Sequence, residues 1–195
     1  MATIISVLST AQIAGLSTTS IAGLSTEDWA AFSTNQIVAL TTAQAGAITT
    51  LGISTLSTNQ MGAFQTQDLR AISTNGIRAL NSDQLGALSS SQIEALSTGQ
   101  VVALTTDQLP TLSTGDLNAL SSSHFAALST AQVSVLTTAQ VSSLETADLA
   151  ALSTAAIRTL NSDQLSSLSA TQVAALSTAQ VSSLTTGQIA GLTSE

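Results

Sequence analysis

The stretch Leu128-Ser-Thr-Ala-Gln-Val-Ser-Val135 is one copy of an eight-residue repeat that runs through almost the whole chain. From Leu8 onward the sequence divides into octads with the consensus L-[ST]-T-x-Q-[IV]-x-A, whose positions we number slots one to eight. In 23 full octads, slot one is Leu in 19, slot two is Ser, Thr or Asn in 21, and slot five is Gln in 14 and Asp in 4. Because the frame never slips, we predict a single repeat domain over residues 1–195.

The octad has the chemistry of a helix N-terminus. Ser, Thr and Asn at slot two are favoured N-caps, and Gln or Asp three residues later completes a capping box. The apolar residues at slots one and six have the spacing of a hydrophobic staple around that cap. One octad therefore predicts one short helix, which begins at slot three and ends near slot eight.

The few charged residues support this helix polarity. Nine of the 11 acidic residues occupy slots four or five, where a helix dipole favours negative charge, and all 3 arginines occupy slot seven, near the predicted C-terminus. The acidic residues are Glu27, Asp28, Asp68, Asp83, Asp107, Asp116, Asp148, Asp163 and Glu195, and the arginines are Arg70, Arg78 and Arg158.

These observations predict an all-α solenoid of very short capped helices, one in each octad. A continuous helix is excluded because eight residues advance about 800°, which would rotate the apolar stripe by about 80° per octad. A helix of two turns is not stable alone, so slots one and six must pack on other octads. The alternative is a β-solenoid, since Thr, Val and Ile favour strands, although the apolar slots do not keep strand alternation.

Two local features carry predictions of their own. Pro110 lies at the fifth helical position of its octad, so that octad should be kinked or reduced to a single turn. Trp29, Leu69, Leu109 and Leu149 replace Ile or Val of slot six at intervals of 40 residues. This spacing predicts either a superhelical turn of five octads or the duplication of a block without geometric meaning.

Composition excludes several classes of function. Three arginines and no lysine, with a net charge of −8, cannot form the basic surface that nucleic acid or an anionic membrane requires. No apolar run is long enough to span a bilayer, and the first eight residues do not form a classical signal peptide. The chain has no cysteine, so disulfides, thiolate metal sites and thiol catalysis are absent.

We predict no catalytic, cofactor-binding or metal-binding residue. His124 is the single histidine and occupies slot five, so we interpret it as a capping side chain rather than a base acting with Ser123. Glu27 and Asp28 could hold calcium only weakly, because that ion needs six to eight oxygen ligands. The four aromatic residues occupy apolar slots and belong to the predicted core: Trp29, Phe32, Phe64 and Phe125.

The octads resemble those of long repetitive bacterial exoproteins that are often labelled haem-utilisation or adhesion proteins. The resemblance covers nearly the whole chain and implies secretion, attachment to the cell surface and haem handling. The residues do not favour haem, because His124, Met61 and Met1 are the only soft candidate ligands and tyrosine and cysteine are absent.

We therefore expect a non-enzymatic structural segment, a stalk or adhesin spacer, of an extracellular or surface-attached bacterial protein. The alternative is a binding module that takes a protein or glycan, or that self-associates through the ends of its solenoid, since uncapped ends favour assembly. The last octad stops at its fourth slot, Glu195, so we expect the chain to be a fragment of a longer array.

Overall fold

The computed structural model describes residues 3–192, with the side chains of residues 3–190. Over that range the chain forms 22 α-helices of four to seven residues and two short 3₁₀ helices, Ile4–Val7 and Leu109–Thr111, and it contains no strand. This confirms the all-α solenoid and overturns the β-solenoid alternative. The α-helices are α1 Thr10–Ala14, α2 Thr18–Ala22, α3 Thr26–Ala30, α4 Thr34–Val38, α5 Thr42–Gly46, α6 Thr50–Thr55, α7 Thr58–Gly62, α8 Thr66–Ala71, α9 Thr74–Arg78, α10 Ser82–Gly86, α11 Ser90–Glu94, α12 Thr98–Ala103, α13 Thr114–Asn118, α14 Ser122–Ala127, α15 Thr130–Ser134, α16 Thr138–Ser143, α17 Thr146–Ala151, α18 Thr154–Ile157, α19 Ser162–Ser166, α20 Ala170–Ala175, α21 Thr178–Ser183 and α22 Thr186–Leu192.

Each helix begins as the sequence predicts. In α4 the Ser33 amide donates to Gln36 Oε1 at 2.8 Å, and the Gln36 amide donates to Ser33 Oγ at 3.3 Å. The same reciprocal capping box recurs in most octads whose slot five is Gln. It satisfies amides of the first turn that have no partner inside so short a helix.

Each helix ends without a left-handed residue. At the end of α6, Leu56 turns to extended backbone with φ −61° and ψ 140°, and its amide donates to Ile53 O at 3.2 Å. None of the described residues has a positive φ. Slots one and two are therefore two extended residues that redirect the chain into the next helix.

The chain divides into two compact units, Met1–Leu104 and Thr105–Glu195. Within each unit every contacting helix pair lies three octads apart, as in α1 with α4 and α13 with α16. Three octads, or 24 residues, therefore make one turn. The five-octad turn is wrong, because neighbouring turns meet at this shorter separation and 40 is not a multiple of 24. Duplication of a block stays an untested interpretation of the 40-residue spacing.

The core of each unit is formed by slots six and one. In the interior octads these side chains are at most 4% exposed up to Leu160, and slot six is 0% exposed in most octads. All four aromatic residues lie in this core as predicted, and Trp29 stacks on Phe32 with ring centroids 4.9 Å apart.

Pro110 reduces its octad as predicted. Residues 106–108 form turns and Leu109–Thr111 form a 3₁₀ helix where the other octads have an α-helix. The physical reason is that proline has no amide to donate to the carbonyl four residues earlier. The second compact unit begins in this octad, at Thr105. Predictions for Met1 and Glu195 lie outside the described residues.

Candidate functional site

The glutamine at slot five joins successive turns of the solenoid. Gln36 Oε1 closes the capping box of its own octad, while Gln36 Nε2 donates to Ile5 O and Leu8 O, both at 2.8 Å. The two acceptors lie 31 and 28 residues earlier, at the end of a helix in the preceding turn. The side chain is 5% exposed, so all of these bonds are made in the interior.

This amide bond repeats along both units with the same separations. We call the set of slot-five amides that donate to the preceding turn the glutamine ladder. A buried amide must satisfy both its acceptor and its donors, and the ladder does so at each step. Its members with donated bonds in the structure are Gln36, Gln44, Gln60, Gln84, Gln92, Gln100, Gln140, Gln164, Gln172, Gln180 and Gln188.

Sequence reasoning identified the capping half of this arrangement and missed the ladder. The signal was present, because a capping box accepts Glu as readily as Gln and a helix N-terminus favours the charge. Slot five nevertheless contains 14 glutamines and no glutamate. A neutral amide is required because its nitrogen must donate to two carbonyl oxygens.

Two octads replace the ladder with a buried aspartate. Thr42 Oγ1 donates to Asp68 Oδ1 and Ser122 Oγ donates to Asp148 Oδ1, both at 2.7 Å, and each hydroxyl lies on the helix three octads earlier. These octads are also the two whose slot two is neither Ser, Thr nor Asn, and their N-cap side chains make no capping bond. Without a slot-two hydroxyl to bind, the aspartate bonds to the neighbouring turn.

Asp148 is strained electrostatically by this position. Burial raises the pKa of its carboxyl group above the ordinary value of 3.8, the hydrogen bond from Ser122 partly lowers it, and the charge of Glu145 raises it further. The folded state therefore binds this proton more readily than the unfolded chain does.

We expect Asp148→Asn to be more stable than the parent at neutral pH. A raised folded pKa stabilises the fold fully below the unfolded value, and this contribution is lost as pH rises through the folded pKa. The advantage of the variant should thus grow from acidic to neutral pH in urea unfolding followed by circular dichroism. Asp163→Asn, at an exposed slot-four position, is the matched control and should lack this growth. An advantage independent of pH would contradict the assignment.

His124 takes the place of a glutamine. Its Nδ1 accepts from the Ser121 amide at 3.1 Å, as a slot-five Oε1 does, and the side chain is 6% exposed. This acceptor role assigns the ring proton to Nε2. Ser123 is exposed, and the hydroxyl of Ser122 donates to Asp148. The contacts of His124 thus belong to the cap.

The other candidate ligands are also engaged in the fold. Asp28 Oδ2 accepts from the amide and the hydroxyl of Ser25 at 3.0 and 2.7 Å, beside an exposed Glu27. Met61 is 0% exposed, which leaves no face for a haem iron. Residues 3–192 contain no group of three His, Cys, Asp or Glu side chains arranged for a metal ion.

The contacts define the class of protein: an α-solenoid with three octads per turn, joined by buried glutamine amides. Six overlapping stretches match the ALTTAQ repeat, namely residues 21–58, 61–98, 85–114, 112–146, 141–178 and 165–194. These stretches cover most of the chain, which therefore belongs to the ALTTAQ repeat family. No curated protein matches the sequence. None of the helices in the described part is long and apolar enough to cross a bilayer.

Proposed function

We propose that this chain is a non-enzymatic structural segment, a stalk or spacer, of a secreted or surface-attached bacterial protein. The observation that carries the proposal is the glutamine ladder. It uses the principal polar side chain of each octad for contacts between turns, so adding octads extends the structure by the same bonds. The resemblance of the octads to repetitive exoproteins supports the location.

The polar side chains that could run chemistry support the same role. His124 serves a cap, Asp68 and Asp148 accept from hydroxyl groups of the preceding turn, and Asp28 caps its own helix. Function in a spacer depends on length and stiffness, whereas function in a binding module depends on particular exposed side chains.

The experiment separates these two kinds of dependence in the parent bacterium. One variant carries alanine at four exposed slot-four positions, which leaves the caps, core and ladder unchanged: Asn35, Asn59, Gln67 and Asn75. We expect antibody labelling of intact cells, and cell attachment, to match the parent. The matched structural variant, Gln84→Glu, should reduce both.

Two results would contradict the proposal. Labelling that requires permeabilised cells would place the protein inside the cell. Loss of attachment in the alanine variant, with normal labelling, would favour the binding module, and addition of glycans or of candidate protein ligands would then identify the class of ligand.

A further inference from the structure

Each turn of the solenoid has two chemically different faces. Toward the preceding turn it presents slot-one side chains and glutamine amide donors, as in Gln44 Nε2, which donates to Ile13 O and Leu16 O at 2.8 Å. Toward the following turn it presents slot-six side chains and the carbonyl groups that accept those bonds. The contact between turns is therefore polar in direction: donors face back and acceptors face forward.

The first three octads expose the donor face. Gln12 has its Oε1 on the Ser9 amide at 2.8 Å, as in every capping box, but its side chain is exposed whereas Gln36 and Gln44 are buried. Slot one is only half-buried in these octads, at Leu8, Leu16 and Leu24, and at most 4% exposed in the rest of the first unit.

The last described octads expose the acceptor face. Val181 and Ile189 at slot six are 45% and 48% exposed, whereas slot six from Leu109 to Leu165 is 0% exposed. The carbonyl groups of Val181 and Leu184 stand where earlier octads accept a glutamine amide, and no described glutamine donates to them.

We infer that the chain binds a second copy of itself head to tail, with the first octads of one copy packed on the last octads of the other. The partner supplies what each face receives inside the solenoid: Gln12 Nε2 gains carbonyl acceptors, and Val181 gains slot-one leucines. Two donor faces, or two acceptor faces, do not match each other. The contact is heterologous and does not close, so it propagates to longer assemblies.

This inference goes beyond the proposed spacer function and is tested separately, by association of the purified 195-residue chain. Sedimentation velocity over a wide concentration range should show mass rising with concentration, more strongly at higher salt because each copy carries a net charge of −8. Gln12→Glu places a carboxylate against the carbonyl acceptors, and Val181→Lys places a charge in the slot-one contact. Each variant alone should associate at least about ten-fold more weakly than the parent.

Mixing the two variants tests the direction of the contact. The Gln12→Glu copy retains its acceptor face and the Val181→Lys copy retains its donor face, so an equimolar mixture should form a heterodimer and stop there. Gln67→Glu, an exposed substitution of equal charge away from both faces, should assemble like the parent. Thermal unfolding followed by circular dichroism verifies that all three variants fold.

Three outcomes would overturn the inference. The parent could be monomeric at every concentration and salt. Either variant alone could assemble as the parent does. A mixture that forms no heterodimer, or a single variant that forms a homodimer, would show that like faces meet or that the contact lies elsewhere.

Discussion

Gln84→Glu should destabilise the fold by about 3–5 kcal/mol at neutral pH, the usual cost of a buried charge without a partner. Gln84 is 2% exposed, its Oε1 accepts from the Asn81 amide at 3.0 Å, and its Nε2 donates to Ile53 O and Leu56 O at 2.9 and 2.6 Å. Glutamate has the same shape and keeps the capping bond. It places an anionic oxygen against two carbonyl oxygens, where a donor is required. Urea unfolding followed by circular dichroism measures the effect.

The matched control is Gln12→Glu, studied at a concentration where the chain does not associate. Gln12 forms the same capping box but is exposed, so the new charge stays in water near a helix N-terminus that favours it. We expect a change within about 0.5 kcal/mol. A similar loss in both variants would mean that the charge at the cap, and not the contact between turns, is responsible.

Acidic pH should partly rescue Gln84→Glu. Burial without a donor raises the folded pKa of the new carboxyl group above about 4.3, so stability is retained below that value and lost as pH rises through the folded pKa. A protonated carboxyl can also donate to one of the two carbonyl groups. If the variant does not fold at neutral pH, refolding on acidification still tests the explanation. Equal stability of variant and parent at neutral pH would contradict it.

The helices could be predicted from sequence because their determinants are local. The N-cap, its partner three residues later, the staple and the sorted charges all lie within one octad, and Pro110 acts within its own helix. Each of these features is visible in a window of eight residues. The bounds of the helices follow from them.

The number of octads per turn could not be predicted in the same way. It depends on how the extended residues at slots one and two direct one helix after another, and on where a side chain 28 or 31 residues later finds an acceptor. The 40-residue recurrence of Trp29 and Leu69 at slot six concerns which apolar side chain fills the core, and it carries no information on the bend between helices. The only local trace of the turn contact is the absence of glutamate at slot five.

Irregular octads carry the remaining information, because a departure from consensus is matched one turn away. Asp68 and Asp148 occur with uncapped slot-two residues and bind hydroxyl groups 26 residues earlier. Gly52 is the same kind of exception, at slot five, three octads after the octad of Trp29. Such pairs would have indicated a three-octad turn, but each single pair is too rare in one sequence to be separated from chance.

Gly52→Ala should destabilise the fold by about 1–3 kcal/mol, the usual cost of overpacking a core. A Cβ at Gly52 would lie 2.6 Å from Trp29 Nε1 and 2.9 Å from Ile48 Cγ2, both in the buried core. The indole is rigid and stacked on Phe32, so it cannot move aside as a flexible chain would. Glycine at slot five is therefore explained by the indole, which occupies the space of the usual glutamine. Urea unfolding followed by circular dichroism is the measurement.

Gly86→Ala is the matched control, because an added Cβ there meets nothing within 4 Å. It should stabilise its helix by about 0.5–1 kcal/mol, the ordinary gain when alanine replaces a helical glycine. Trp29→Leu removes the indole and should reduce the cost of Gly52→Ala in the double variant, which gives a coupling energy between the two positions. Additive effects of the two substitutions would show that Ile48, and not the indole of the preceding turn, requires glycine at this position.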